Sequence, residues 1–170
     1  LYSQDNWGED LAFNVYDGAP YYWMKTLGTG ARATTFASQS GASDAPTITR
    51  RIMVSGTDRH VVCFGCNPLG EASQDLLMVR WSDQESAFDW TPTATNTAGS
   101  QRISSGSEII SAQKTRQEML IWTDTSLHAM RFTGPPFTFG FSMLANNVSI
   151  IGPNAVTTVG DKVFWMDREN

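Results

Sequence analysis

Residues 119–132 read Met119-Leu120-Ile121-Trp122-Thr123-Asp124-Thr125-Ser126-Leu127-His128-Ala129-Met130-Arg131-Phe132. Two runs rich in apolar and aromatic residues, Met119 to Trp122 and Leu127 to Phe132, flank a short polar stretch. Both runs are too short for an ordinary globular helix and have the composition of strands. The polar stretch contains Asp124, whose carboxylate can accept backbone N–H groups and open a turn. The reading is a strand that delivers a large ring into a layer between sheets, a tight corner, and a returning strand.

The same five-residue pattern, an apolar strand followed by Trp, one residue and Asp, occurs at Val79-Arg80-Trp81-Ser82-Asp83 and Val163-Phe164-Trp165-Met166-Asp167. The Trp-to-Trp spacings are 41 and 43 residues. Tyr21-Tyr22-Trp23 is a looser member without the Asp. A period of about 40–45 residues is that of a four-stranded propeller blade. The expected fold is all-β, with antiparallel sheets arranged as β-propeller-like blades and a β-sandwich as the alternative. Residues 1–170 are read as a single all-β region with blade-like repeats around 60–100, 101–145 and 146–170. Trp81, Asp83, Trp90, Trp122, Asp124, Trp165 and Asp167 are the expected structural repeat residues, with the four tryptophans packing between blades. The chain begins with Leu1 rather than Met and stops just after an apolar run. It is therefore expected to be part of a larger propeller-containing protein.

Further strand signals lie at His60 to Phe64, Leu76 to Trp81, Val148 to Ile151 and Lys162 to Met166. Turn residues separate them: Asn67-Pro68-Leu69-Gly70, Gly134-Pro135-Pro136, Gly152-Pro153-Asn154 and Gly160-Asp161. Helix signals are weak: Ala31 to Ser38 allows a turn or two, and Ser107 to Thr115 has no sustained 3.6-residue apolar period. Gln84 to Ser107 is polar apart from a few residues such as Trp90, and reads as a long ordered surface loop or blade connection. In Phe132 to Phe141, Phe137, Phe139 and Phe141 alternate at strand spacing, which suits a core face or a subunit contact.

Composition narrows the functional classes. Charged residues make up 17% of the chain and the formal net charge is -5. An acidic surface has no footprint for gripping a phosphate backbone, although a channel wall of like sign lets DNA slide past. No segment approaches the roughly 20 continuous apolar residues of a membrane helix. The two cysteines, Cys63 and Cys66, are half of a common zinc pattern, but His60 is offset from Cys63 by an odd number of residues and so points to the opposite strand face. Two structural thiols near a strand end are the simpler reading.

Other candidate chemistry is thin. Gly28-Thr29-Gly30-Ala31-Arg32-Ala33 fits a dinucleotide fingerprint, but the helix and parallel strand that fingerprint needs do not follow. Carboxylates cluster at Asp83, Glu85 and Asp89, with Asp124 on a similar turn. Paired carboxylates serve glycoside hydrolysis, and capping of blade corners is the competing reading. Ser105-Gly106-Ser107-Glu108 lacks a nucleophile elbow. We expect no catalytic, cofactor-binding or metal site.

Several short stretches, in order along the chain, resemble a family of phage tail proteins. They include Trp7-Gly8-Glu9-Asp10-Leu11, Asp58-Arg59-His60-Val61, Phe64-Gly65-Cys66-Asn67-Pro68-Leu69-Gly70 and Arg80-Trp81-Ser82-Asp83-Gln84-Glu85 with Asp89-Trp90-Thr91-Pro92. Ser105 to Ile109, Ile121 to Thr125, Gly134 to Gly140, Asn147 to Ala155 and Val163 to Met166 complete the set. The resemblance is to the tail tube or nozzle proteins of short-tailed bacteriophages (podophages), related to packaged-DNA stabilisation proteins. It implies a non-enzymatic virion component forming a homo-oligomeric ring, commonly six-fold, below the head–tail adaptor. It further implies contacts with other tail proteins and non-specific proximity to double-stranded DNA leaving through the ring. The rival from another class is a tail-associated carbohydrate-binding or glycan-cleaving β-domain.

Overall fold

The computed structural model describes residues 1–56 and 58–168. The chain is all-β, and every pairing between its named strands is antiparallel. It divides into two compact units, Leu1–Arg102 and Ile103–Asn170. The last two residues of the expected 146–170 repeat lie outside the described residues.

The first unit holds two four-stranded sheets. One runs β1 (Tyr2–Trp7), β2 (Asp10–Val15), β3 (Pro20–Trp23) and β4 (Thr34–Thr35), in that spatial order. The other runs β5 (Thr49–Val54), β6 (Val61–Cys66), β7 (Met78–Trp81) and β8 (Gly99–Arg102). Both are up-and-down meanders, as short connections between antiparallel neighbours favour. β1 alternates exposed and half-buried residues along its length, the period-two signature of an edge strand with one dry face. β6 is buried at every position, so its sequence is a nearly continuous apolar run instead. The core joins Ala12, Tyr22 and Phe36 to Ile52, Val61, Cys63 and Trp90.

Side chains of the first sheet close the free edge of β5. Asp5 Oδ2 accepts the Val54 N–H at 2.9 Å, Ser3 Oγ accepts that of Ile52 at 2.8 Å, and Asn14 Nδ2 donates to the Thr49 carbonyl at 2.9 Å. An edge so occupied cannot template a foreign strand.

The second unit holds one four-stranded meander and a hairpin. The meander comprises β9 (Ile109–Lys114), β10 (Met119–Thr123), β11 (Ser126–Gly134) and β12 (Thr138–Asn146). The hairpin comprises β13 (Val156–Val159) and β14 (Lys162–Trp165), joined by the two-residue turn Gly160-Asp161. Trp122, Leu120, Ile110, Leu127 and Ala129 form the core with Ile150, and Val156 and Val163 of the hairpin pack against it.

Several expectations change at this level. Val148 to Ile151 is not a strand; Ile150 is a buried plug in an irregular segment. Ala31 to Ser38 yields a single 3-10 turn at Phe36–Ser38. Trp165, expected to be packed, meets the Trp122 ring with centroids 5.7 Å apart but keeps 40% of its surface exposed. Phe137, Phe139 and Phe141 do not share one buried face: Phe139 is buried against Phe132, whereas Phe137, in the turn, is 78% exposed. The positive φ of Thr138 (62°) and the register shift between Phe132 and Gly134 break the alternation there.

Candidate functional site

Among the described residues, polar side chains converge most densely on the corner formed by Trp81, Ser82 and Asp83. β7 ends there, and the loop 84–97 must return to start β8. Thr97 is the hub. Its amide and hydroxyl both donate to Asp83 Oδ1 at 2.7 Å. Its carbonyl accepts the Trp81 indole N–H at 2.8 Å, and its Oγ1 accepts the Gln84 N–H at 2.8 Å. The fully buried His60 faces the same hydroxyl, Nε2 to Oγ1 at 3.1 Å. Behind it, His60 Nδ1 lies 2.9 Å from Asp58 Oδ2, which also accepts the Ser55 hydroxyl at 2.7 Å.

This chain of Asp58, His60, Thr97 and Asp83 has the residue types of a nucleophilic triad, but its wiring is that of a brace. The single hydroxyl proton of Thr97 is given to Asp83, so its oxygen is not poised for attack. Burial pushes the Asp83 carboxyl up, but the hydroxyl and amide of Thr97 and the amide of Gln84 outweigh it and hold the group below the usual range. Asp58 follows the same logic: burial raises it, and the bonds from His60 and Ser55 bring it down.

The loop completes itself. Asp89 Oδ2 accepts the Asn96 amide at 3.1 Å, Asn96 Nδ2 also reaches the Thr91 carbonyl at 2.7 Å, and Asn96 Oδ1 accepts the Thr93 N–H at 2.9 Å. Trp90 anchors the loop by inserting into the core, edge-on to Phe36, with its indole N–H on the Ala87 carbonyl at 2.9 Å. Asp83 and Asp89 are therefore engaged in holding the loop's own groups. Glu85 pairs with Arg59 at 3.1 Å on the exposed side.

The corner after Trp122 is simpler. Asp124 accepts the amide of Ser107 at 2.8 Å and its hydroxyl at 2.6 Å. These donors outweigh the effect of burial and hold the Asp124 carboxyl low. Gly106 makes the approach possible: its φ is +95°, and an added Cβ would lie 2.5 Å from Thr123 Oγ1. His128 sits beside a hydroxyl pair, its Nε2 2.9 Å from Ser126 Oγ, which is 2.6 Å from Thr123 Oγ1. Burial lowers the pKa of His128. After Trp165, Asp167 accepts the Ser149 hydroxyl.

Each Asp of the three repeats thus clamps a hydroxyl residue distant in sequence, rather than simply opening the next turn. Asp83 reaches 14 residues forward, whereas Asp124 and Asp167 reach 17 and 18 residues back. The direction differs because Trp81 ends the third strand of its sheet, while Trp122 and Trp165 lie on the second strand of theirs. In the sheet β5–β8, the residue just after the second strand is Asn67. Its Oδ1 accepts the N–H groups of Thr47 and Ile48, 20 and 19 residues back. Asn67, Asp124 and Asp167 are the equivalent positions, and the Trp-x-Asp spacing did not reveal it.

Cys63 and Cys66 both enter the core of the first unit. Gly65, at φ +59°, interrupts the alternation between them and turns Cys66 to the same core. Burial pushes the Cys63 thiol up to about 12 and the Cys66 thiol well above its ordinary range, so both are inert thiols at neutral pH. Gly28 to Ala33 is a turn leading into the two-residue β4, followed by the single 3-10 turn Phe36–Ser38 and not by an α-helix.

Two surface hollows of the second unit are lined by described residues. One, of about 450 Å³, is lined by Arg116, Glu118, Leu120, Leu144, Thr158 and Asp161. The other, of about 320 Å³ and mostly apolar, lies along Val156, Phe164, Trp165 and Met166. No helix among the described residues is long and apolar enough to cross a membrane. No protein-family model matches the chain, and no curated protein matches it.

Proposed function

We propose that this chain is a structural component of a short-tailed phage tail, of the nozzle or tail-tube kind, in the virion. Its copies would form a ring, six-fold by family resemblance, around the DNA-ejection channel. The ring would contact the head–tail adaptor and other tail proteins and help retain packaged DNA. The observation that carries the reading is the succession of three up-and-down four-stranded sheets, at 2–35, 49–102 and 109–146, followed by a hairpin. Repeated small antiparallel sheets in chain order are how propeller blades are built. Such blades are rigid wall elements.

The polar groups support a scaffold in the same way. Asp83, Asp89, Asp124, His60 and His128 bind the protein's own loops and hydroxyls. The net charge of -5 suits a wall past which DNA slides without sticking.

The test is cryo-electron microscopy of particles containing this chain, with its position and copy number traced. A symmetric ring around an axial channel below the portal is the expected result. A few peripheral copies on fibres or spikes would overturn it. That outcome would favour a carbohydrate-directed domain, with the hollow beside Arg116, Glu118 and Asp161 as the first place to look for sugar.

A further inference from the structure

His60 is fully buried and is the only histidine in residues 1–102. Both of its ring nitrogens meet oxygen: Nδ1 lies 2.9 Å from Asp58 Oδ2, and Nε2 lies 3.1 Å from Thr97 Oγ1. The partners decide which nitrogen carries a proton. The Asp58 carboxyl is held below the usual range, so at neutral pH it is ionised and can only accept. Ser55 Oγ accepts the His60 backbone N–H at 2.8 Å and gives its own proton to Asp58 Oδ2 at 2.7 Å. Nδ1 therefore donates to the same carboxylate.

Nε2 must donate as well. Thr97 Oγ1 has one proton and two lone pairs. One lone pair takes the Gln84 N–H at 2.8 Å. The proton points to Asp83 Oδ1 at 2.7 Å, because Asp83 is likewise held ionised and two bare oxygens would repel at that distance. Only the second lone pair is left for the ring. An imidazole that donates from both nitrogens carries a positive charge. Such a charge is tolerated in a core only when it is paired and hydrogen-bonded. Asp58 faces it directly, and Asp83 faces it through Thr97. Of the other charged groups on the surrounding elements, Arg59 lies over the Trp7 ring and pairs with Glu85 on the exposed side. Asp5 holds the Val54 N–H, Arg80 holds the Asn67 and Asp44 carbonyls, and Asp89 holds Asn96.

We infer that His60 is a proton-operated latch, which locks the loop 84–97 while both ring nitrogens carry protons and loosens it when one proton leaves. In the loosened state the remaining N–H stays on Nδ1, against the full charge of Asp58, and a bare Nε2 faces Thr97. The Thr97 hydroxyl must then turn its proton to the ring and leave Asp83, or draw away from the ring. Either movement takes one bond from the residue on which the Trp81 indole, the Asp83 carboxylate and the Gln84 amide converge. The sign follows from linkage. A proton held by the folded unit stabilises the loop at low pH, and that contribution is lost as pH rises and the ring gives the proton up. This is the opposite sense to His128, whose burial opposes protonation. The inference stands on hydrogen-bond geometry and is independent of the tail reading.

The test is a pH titration of the whole chain labelled with nitrogen-15. The readouts are the ring nitrogen resonances of His60 and the amide exchange of Gln84 and Thr97, corrected for the intrinsic effect of pH on exchange. The expected result is two protonated ring nitrogens at a pH of about 7. As pH is raised and one of those protons leaves, exchange at Gln84 and Thr97 should quicken by roughly tenfold or more, the loss of one hydrogen bond to a charged group. A single protonated ring nitrogen at neutral pH overturns the inference. So does a deprotonation of the ring that leaves both amides unchanged. His60→Gln offers one donor and one acceptor, so its loop should exchange fast at every pH and show no step. A step that persists in the folded variant also overturns the latch, and if the variant does not fold, the titration of the unmodified chain decides alone.

Discussion

Trp81-Ser82-Asp83 and Trp122-Thr123-Asp124 share one sequence pattern and are wired in opposite directions. In the first unit the Trp indole, the Asp carboxylate and the His60 ring all converge on Thr97. In the second, Asp124 grips Ser107, whereas the buried Trp122 indole N–H meets no acceptor and His128 Nε2 lies beside the Ser126 hydroxyl. A corner at the third strand must secure a long outgoing loop. A corner at the second strand need only tie down the segment that entered the sheet. The same residues therefore serve different connections, and the difference is measurable.

The largest effect is expected where ring burial decides. Trp122→Ala should destabilise the second unit by about 3–5 kcal/mol, because it empties a fully buried site. Trp165→Ala, at the equivalent corner, should cost less than half of that, since 40% of the residue is already in water. Urea unfolding followed through amide exchange of β10 and β11 measures both. Equal losses would mean that Trp165 is covered in solution, as a strand on β14 would cause.

Next come the glycines that let the corners close. Gly106→Ala meets both a positive φ and the Thr123 and Asp124 side chains. It should cost roughly 2–4 kcal/mol. Gly99→Ala has ordinary φ but would place its Cβ 2.7 Å from the Trp81 ring. The cost there should be about 1–3 kcal/mol, and accompanied by a shifted Trp emission. If Gly99→Ala proved the more damaging, the Trp81 corner would be the stiffer of the two.

How much of this was legible in the sequence depends on what each residue touches. Val61–Cys66, Met119–Thr123 and Lys162–Trp165 were visible because their apolar runs report directly on strands. Tyr2–Trp7 and Gly99–Arg102 are equally regular but mostly polar, with no continuous apolar run to mark them. The repeat was only half visible: Asn67 does the work of Asp124 with Gly65, not Trp, two residues before it. The hub at Thr97 had no local signature, since His60 reaches it from 37 residues away. Hydroxyl residues in a polar loop look alike until the fold selects one of them.

That hub offers a sharper contrast than the rings do. Thr97→Val removes one donor to Asp83 and one partner of the buried His60 in the same step, and should cost about 1–3 kcal/mol. Ser107→Ala removes one hydroxyl from the more exposed Asp124, and should cost about 0.5–1.5 kcal/mol. A double-mutant cycle between Thr97→Val and Asp83→Asn should show clear coupling, read as loop 84–97 exchange. Additive losses would mean that Trp81 and the core contacts of Trp90 hold the loop without the hydroxyl.

The smallest effect separates the units by pH. The folded pKa of His128 lies below its ordinary value of 6.5 because burial disfavours the imidazolium. As pH falls below 6.5, the unfolded chain takes up a proton that the folded second unit refuses, so stability declines until the folded pKa is passed. The slope is at most about 1.4 kcal/mol per pH unit. The depressed carboxylates act in a lower window with the same sign. Asp58, Asp83 and Asp124 stabilise the fold above 3.8, and that contribution is lost as pH falls through their lower folded values. His128→Gln should flatten the decline of the second unit below pH 6.5, measured as urea midpoints from β10 and β11 amides. A slope that survives the substitution would place the titrating group elsewhere.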